Sequence, residues 1–355
     1  MPRPPFPKNL TEFQAWFPTE AACENYLVRS RWPDGFVCPF CGSKHHYEIR
    51  AIRKSRSTKS VIVVRYRKRL WQCRDCGKQT SATSGTVLDH TRLALLVWFQ
   101  AAFEMTTDKR GVSALYLDRQ LDLGNHKTAW FALHKMRRAM VNPNRTKLRG
   151  TVEMDGTFVG GYQAGLKGGR QRKGRKAACV LVAVEVLTRV RKMADGTEKV
   201  EEYSGRLRVE CVRGETAECV GDFLDRNVEV GSMIRSDGLG AYQEATRVLG
   251  YKHDRRVQGK IKDTGQVVLL AHRSISNLKT WINGTHHGVG RPHLQAYLDE
   301  FVFRFNRRGT PEAAFQTLLG LGSNHAPVRR ATIVKASDLP YYYEGDEIEE
   351  EGALP

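Results

Sequence analysis

The stretch TVEMDGTFVGGY, residues 151–162, places a single acid, Asp155, at the end of an apolar run that then passes into threonine and glycines. Burying a lone carboxylate is unfavourable unless the group is paired or holds a cation. The stretch SMIRSDGLGAY, which begins at Ser232, repeats the theme with a short strand, Asp237 and glycines. Whether these two acids share a cation depends on the fold that connects them.

The segments between the two acids read first as strands and then as a helix. After residues 151–162 come the apolar strand ACVLVAVEVL, the alternating strand GRLRVECV and the helical stretch ETAECVGDFLDRNV. Three strands, a helix and a fourth strand, with acids ending the first and fourth, is the order of a ribonuclease H-like α/β fold, a mixed sheet flanked by helices. That fold sets strands one and four side by side, so we expect Asp155 and Asp237 to be neighbours with divalent cations between them. The alternative is two unrelated turn residues at strand ends.

The chain of 355 residues is strongly basic, with 57 Lys and Arg against 38 Asp and Glu and a net charge of +19. This excess favours a polyanionic partner, usually nucleic acid, although ribosomal and membrane-surface proteins are basic too. A basic, glycine-rich loop after the first strand carries three candidate DNA-binding residues, Arg170, Arg172 and Lys173. The N-terminal residues MPRPPFPKNL lack the apolar core of a secretory signal, and AACVLVAVEVL is too short to cross a bilayer. We therefore expect a cytoplasmic, nucleoid-associated protein with no membrane partner.

Two cysteine pairs predict a structural zinc site. CPFC supplies Cys38 and Cys41, and CRDC supplies Cys73 and Cys76, each pair with the spacing that lets both thiolates face one tetrahedral zinc ion. The residues between the pairs alternate and are rich in β-branched side chains, which predicts a short antiparallel ribbon. A site closed by four thiolates leaves no position for water, so this zinc would be structural. The alternative is four buried free cysteines.

A helical stretch follows the cysteine pairs, from about residue 90 to residue 141. It breaks at Leu123-Gly124-Asn125, which predicts a helix, a tight turn and a second helix. This order is typical of a helix-turn-helix whose second helix enters the major groove of DNA. The candidate DNA-binding residues of the second helix are Lys127, Lys135, Arg137 and Arg138. An ordinary helical hairpin has the same pattern.

The chain resembles a known family over about residues 10 to 310. HRSISNLKTWINGTHHGVGRPHLQAYLDEFVFRFNRR resembles the C-terminal block of DDE-type insertion-sequence transposases that carry an N-terminal zinc ribbon. VEMDGTFVGG and SDGLGAY are similar to the family's two acid motifs, and CPFCG and LWQCRDCGKQTSATSGTV to its zinc ribbon. The resemblance implies a DNA transposase that uses Mg²⁺ or Mn²⁺ at Asp155 and Asp237 to cut element ends and join their 3′-hydroxyls to target DNA. It also implies double-stranded DNA as partner and a homo-oligomer on the DNA ends.

The third active-site residue is where this chain departs from the family. Many relatives have a glutamate seven residues before a lysine on the last helix, and here Lys279 is preceded at that distance by His272. Residues seven apart on a helix lie within about 20° of each other, so His272 and Lys279 share a face, whereas Asn277 lies about 140° from His272. We favour His272 as the third residue, with Asn277 as the competitor.

A further triad resembles the family's Glu-Arg-Arg signature. Glu300, Arg304 and Arg307 are spaced to line up on one helix face, where they would support the site or contact DNA. The alternative is an exposed, salt-bridged face.

The domain boundaries that we predict are a helical lead-in at 1–35, the zinc ribbon at 36–82, the helix-turn-helix-like segment at 90–141, the catalytic domain at 150–310 and an acidic, disordered tail at 340–355.

Three other interpretations compete with an active transposase. A non-enzymatic zinc-ribbon DNA-binding regulator leaves the matching positions of Asp155 and Asp237 unexplained. A structure-selective nuclease on the same fold has no need of the ribbon and the helical segment. An inactive transposase copy is the third.

Overall fold

The computed structural model describes residues 5–56, 63–142, 144–160, 177–193, 196–257 and 267–334. These residues divide into two compact units, a first unit of 5–142 with 307–334 and a second unit of 144–306. Within the described ranges, none of the helices is long and apolar enough to span a membrane. The predicted acidic tail and the basic loop with Arg170, Arg172 and Lys173 lie outside the described residues.

Five helices and a small sheet make up the N-terminal part of the first unit. In chain order they are α1 (Leu10–Trp16), α2 (Glu20–Arg31), β1 (His46–Arg56), β2 (Val63–Cys73), β3 (Gln79–Thr80), α3 (Leu95–Thr107), α4 (Ala114–Leu121) and α5 (His126–Ala139). Four of these helices begin at a side chain that caps the first turn, because its oxygen accepts a backbone N–H bond there. The capping residues are Asn9, Thr19, Ser113 and Asn125.

The small sheet is the predicted zinc ribbon. Its strands pair antiparallel in the order β1-β2-β3, and the β1–β2 hairpin runs in register from the His46–Cys73 pair outward. The ribbon packs on the end of α2 through aromatic rings, since the centroids of Trp32 and Trp71 are 5.0 Å apart. The sequence prediction of an antiparallel ribbon between the cysteine pairs is confirmed.

The second unit is built on a five-stranded mixed sheet. Its elements are β4 (Thr151–Val159), β5 (Ala178–Lys192), β6 (Glu198–Val212), α6 (Ala217–Asn227), β7 (Met233–Ser236), α7 (Gly240–Val248), β8 (Lys252–Arg255), α8 (Leu269–His286), a 3₁₀ turn (Arg291–His293) and α9 (Leu294–Phe305). The strand order is β6-β5-β4-β7-β8, with β4, β7 and β8 parallel and β4, β5 and β6 antiparallel. Strands one and four of the prediction are thus neighbours, which confirms the ribonuclease H-like fold class.

Helices cover both faces of this sheet. On one face, Val182 and Leu207 pack against α8 and α9 through residues such as Leu278. On the other face, Met154 packs against α6 and α7 in a core that includes Phe223. Alternate residues of β4 therefore point to different helix layers, and this alternation decides from which side each functional group reaches the strand.

The chain returns to the first unit after α9. There it forms α10 (Pro311–Asn324) and α11 (Arg330–Val334). The ring of Phe315 on α10 lies 5.9 Å from each of the rings of Phe13, Phe99 and Phe103. A helix that follows the second unit in the chain thus completes the aromatic core of the N-terminal helices, and no pattern in the sequence indicates this contact.

Candidate functional site

The register of two strands sets the positions of Asp155 and Asp237. In the parallel pair of β4 and β7, the last pair of residues is Glu153 and Arg235. Asp155 lies two residues after Glu153, and Asp237 lies two residues after Arg235. β7 ends at Ser236, whereas β4 continues to Val159 and stays paired with β5. The expectation that Asp155 ends its strand is therefore wrong: it lies within β4, at the level where pairing with β7 stops. The two carboxylates leave neighbouring strands at one level of the sheet.

Both aspartates are held locally by backbone N–H groups. Oδ1 of Asp155 accepts the N–H of Gly156 at 2.9 Å, and Oδ1 of Asp237 accepts the N–H of Leu239 at 3.0 Å. Each carboxylate thus keeps its second oxygen for other contacts.

Glu153 ties α8 to the same strand. Its Oε2 accepts the N–H groups of Leu270, at 2.7 Å, and Ala271, at 3.1 Å. The N-cap residue of α8, Val268, makes no side-chain bond to the helix, so the buried carboxylate of Glu153 does the capping instead. Arg235 lies 3.6 Å from Oε1 of Glu153 and offsets its charge. The first turn of α8 is therefore fixed against β4, two residues before Asp155.

This tie brings His272 to Asp155. His272 Nε2 lies 3.2 Å from Asp155 Oδ2, with the histidine half exposed. The hydrogen bond to Asp155 raises the pKa of His272 above its ordinary value, and partial burial opposes the rise. Lys279 is half-buried on the same helix, while Asn277 is exposed. The structure thus places His272, and not Asn277, against the first aspartate.

A third carboxylate, Glu215, was not predicted as a site residue. It lies just before Thr216, the N-cap of α6, and its Oε1 accepts a bond of 2.7 Å from the hydroxyl of the buried Tyr242. A Cβ atom at Gly156 would lie only 2.2 Å from the same oxygen, so the carboxylate occupies space that a side chain would fill. The available signal was a glycine directly after Asp155, together with an acid directly before the cap of the helix that follows the third strand.

The hydroxyl of Tyr242 lies in an acidic environment. Burial, first, and then the charges of Glu215, Asp155 and Asp237 raise the pKa of its hydroxyl well above the ordinary value. The phenol therefore stays protonated and donates to Glu215. A donor set of carboxylates and one imidazole fits a hard divalent cation such as Mg²⁺, and the imidazole favours Mn²⁺.

The four predicted zinc ligands come together in the ribbon. Among the residues that the structure describes, Cys38, Cys41, Cys73 and Cys76 form the group of ligating side chains whose ligand atoms all lie within 4.8 Å of one another. Sulfur atoms are 3.6 Å apart for Cys38 and Cys76, and 3.5 Å apart for Cys41 and Cys73. This group and the family comparison below support the prediction of a structural zinc site.

The predicted DNA-binding residues differ in accessibility. The turn between α4 and α5 contains Asp122 and Gly124 in left-handed conformations, and Lys127 is exposed in the first turn of α5. Lys135 is half-buried beside the carbonyl oxygen of Asp89, and burial lowers its pKa. Arg138 is also half-buried. Arg137 is only 1% exposed, so the prediction that it contacts DNA needs correction.

The predicted Glu-Arg-Arg face is also different in the structure. Glu300 is fully buried and lies 3.8 Å from Arg304, whose guanidinium lies over the ring of Trp281. The alternative of an exposed, salt-bridged face is therefore wrong for this pair. α9 ends at Phe305, so Arg307 lies beyond the helix on whose face it was expected to align.

Two protein-family models match this chain, one over the second unit and one over the zinc ribbon. Residues 147–306 match the family model of the ISXO2-like transposase domain, and residues 18–79 match the transposase zinc-ribbon domain. A relative from Halobacterium salinarum, described as an uncharacterized protein in transposable element ISH50, is 26% identical over an alignment of 310 residues, and the alignment covers 85% of this chain and 97% of that protein.

Among solved structures, a simian T-cell lymphotropic virus intasome in complex with the PP2A regulatory subunit B56 gamma aligns at 14% identity and a TM-score of 0.22, over 72% of this chain and 74% of that one. This low TM-score supports no conclusion about the chain. The two family matches fall on the zinc ribbon and on the sheet that carries Asp155 and Asp237. The chain therefore belongs to the insertion-sequence transposases in which an N-terminal zinc ribbon precedes an ISXO2-like transposase domain.

Proposed function

We propose that this transposase cuts DNA at the ends of its mobile element and joins the released 3′-hydroxyls to target DNA by metal-dependent phosphoryl transfer. The observation that supports it best is the shared level of Asp155 and Asp237 on adjacent parallel strands. The contact of 3.2 Å between His272 and Asp155 sets an imidazole nitrogen beside the first carboxylate, where it would serve as a further ligand.

Asp155, Asp237 and His272 would hold the catalytic Mg²⁺ or Mn²⁺. When bound, the cations supply an activated water or hydroxyl and stabilise charge on the leaving oxygen. Asp155 orients the imidazole of His272, and Glu153 keeps α8 where this contact is made. Lys279 follows His272 by two helical turns on the same face, within about 20°, where its ammonium would hold a phosphate beside the carboxylates.

The first unit would hold the element ends. The N-terminal residues of a recognition helix are those that reach base edges, and Lys127 is exposed at that position of α5. Lys135 and Arg138, and Arg170, Arg172 and Lys173 in the basic loop, are proposed phosphate contacts. Since two element ends must be brought together, we infer that the protein acts on DNA as a homo-oligomer.

Cleavage and joining of a labelled element end tests this function. Asp155→Asn and Asp237→Asn should abolish cleavage and leave binding to the end nearly unchanged, because each removes a metal-binding charge and little shape. Asp222→Asn is a matched control, since that side chain is 63% exposed on α6. If Asp155→Asn cuts as well as the parent, the mechanism is wrong. A parent that binds ends and cuts nothing in Mg²⁺ or Mn²⁺ would identify a DNA-binding regulator or an inactive copy.

A further inference from the structure

Glu215 and His272 reach β4 from opposite faces of the sheet. Glu153 and Asp155 point to the side of α8, where they contact that helix's first residues. Met154 points to the side of α6 and α7, and Gly156, two residues further, faces the same way. Glu215, at the start of α6, lies against Gly156 from this second side.

The contact at Gly156 depends on the absence of a side chain there. A Cβ atom at this position would lie 2.2 Å from Oε1, 2.5 Å from Cδ and 3.0 Å from Oε2 of Glu215. The carboxylate of Glu215 therefore occupies the space that a side chain at Gly156 would need, at the residue that follows Asp155.

Tyr242 keeps the Glu215 carboxylate in this position. Its hydroxyl is buried and donates to Oε1 at 2.7 Å, and the ring is fixed in the core between α7 and the sheet. A carboxylate that only capped α6 would need no partner on α7. The arrangement of Gly156, Tyr242 and Glu215 is what a preorganised ligand requires, namely a side chain held by its neighbours before the cation binds.

We propose that Glu215 is a third carboxylate ligand of the cation that Asp155 and Asp237 hold, kept in place by Tyr242 and admitted by Gly156. This inference rests on the proposed function, since the cation is that of the cleavage reaction. Glu215 and His272 would then complete the site from the two sides of β4.

Manganese binding to the full-length, zinc-loaded protein tests the inference without DNA and without any activity measurement. Electron paramagnetic resonance of free Mn²⁺ gives the Kd. We expect Glu215→Gln to weaken binding about tenfold or more, and Tyr242→Phe to weaken it less. Glu218→Gln is the matched control, because Glu218 is an exposed acid in the first turn of the same helix. Its Kd should equal that of the parent.

Gly156→Ala is the sharper variant. The three atoms nearest to its new methyl group all belong to the far end of the flexible Glu215 side chain. The carboxylate should therefore move away and the fold should survive, as an unchanged thermal midpoint would verify. We expect a loss similar to that of Glu215→Gln, and no further loss when the two changes are combined, because both remove the same ligand. Losses that add in the double variant would overturn the role given to Gly156.

The outcomes separate this inference from the proposed function. If Glu215→Gln and Gly156→Ala bind Mn²⁺ like the parent while Asp155→Asn does not, Glu215 is not a ligand and the proposed function stands. If Asp155→Asn also binds like the parent, the proposed cation site itself is wrong.

Discussion

Nε2 of His272 can bind either a proton or a metal ion. When it is protonated, its partner is the carboxylate of Asp155. The two side chains are 3.2 Å apart, and this contact raises the pKa of His272. A metal ligand must be neutral imidazole, so the cation has to displace the proton. The departure from the family's usual glutamate thus replaces a permanent charge with one that depends on pH.

Titration of His272 by NMR in the presence of EDTA checks this contact. We expect a pKa above the ordinary value of about 6.5 in the parent and a value closer to it in Asp155→Asn. Because the folded-state pKa is raised, the stability that the pair contributes is present below the unfolded pKa and is lost as pH rises through the folded value. An unchanged pKa in Asp155→Asn would contradict the pairing.

Two alanine variants decide the third active-site residue. If His272 is the ligand, His272→Ala should lower cleavage by orders of magnitude, whereas Asn277→Ala should have a mild effect because Asn277 is exposed on another part of α8. His272→Glu should keep or raise cleavage in Mg²⁺, since a carboxylate suits that ion better than imidazole does. Cleavage of a labelled end in parallel Mg²⁺ and Mn²⁺ reactions measures all three. A reversed ranking of the alanine variants would assign the role to Asn277.

Among the secondary-structure elements, two helices are capped at the N-terminus by acids that are distant in sequence. Glu153 caps α8, and the buried Glu20 caps α3 by accepting the N–H groups of Leu95 and Leu96 at 2.9 Å each. Local caps can be predicted from sequence, because the capping residue stands next to the helix. Caps from distant residues cannot be predicted in this way, since they form only when the strand or helix that carries the acid packs against the capped helix.

The contribution of the Glu153 cap on α8 to the stability of the protein can be measured. Glu153→Gln keeps the shape but removes the charge that faces two N–H groups and Arg235, so we expect unfolding to become easier by about 1–3 kcal/mol. Urea unfolding followed by circular dichroism measures it. The exposed Glu218→Gln should change stability by no more than about 0.5 kcal/mol. A Glu153→Gln protein as stable as the parent would show that α8 is held by its apolar contacts alone.

The zinc ribbon gives a prediction about metal content. We expect the purified chain to contain zinc bound by Cys38, Cys41, Cys73 and Cys76, and Cys73→Ser to lose it, because thiolate is the ligand that zinc prefers. Elemental analysis of both proteins is the measurement. Cys179→Ser is the control, since Cys179 is a buried core residue of the second unit and should not affect zinc. Full zinc content in Cys73→Ser would contradict the four-thiolate site.

At the scale of the whole molecule, the parts that sequence could predict are those set by local patterns. Apolar periodicity and the order of elements were enough for the mixed sheet with Asp155 and Asp237 on adjacent strands, and cysteine spacing was enough for the ribbon. Glu215 was missed because its role depends on a close contact with Gly156, which lies far from it in sequence. The return of α10 was missed for a similar reason, since an apolar helix face does not specify its partner. The burial of Arg137 likewise depends on neighbouring residues that cannot be identified from the charge pattern of the helix.

Anomalous X-ray diffraction from crystals of the full chain, bound to element-end DNA and soaked in Mn²⁺, tests the central claim most directly. We expect a manganese peak between the carboxylates of Asp155 and Asp237, with the imidazole of His272 turned from Asp155 to the metal. DNA seated in the crystal with no manganese at these two carboxylates would show that they do not hold the catalytic cation.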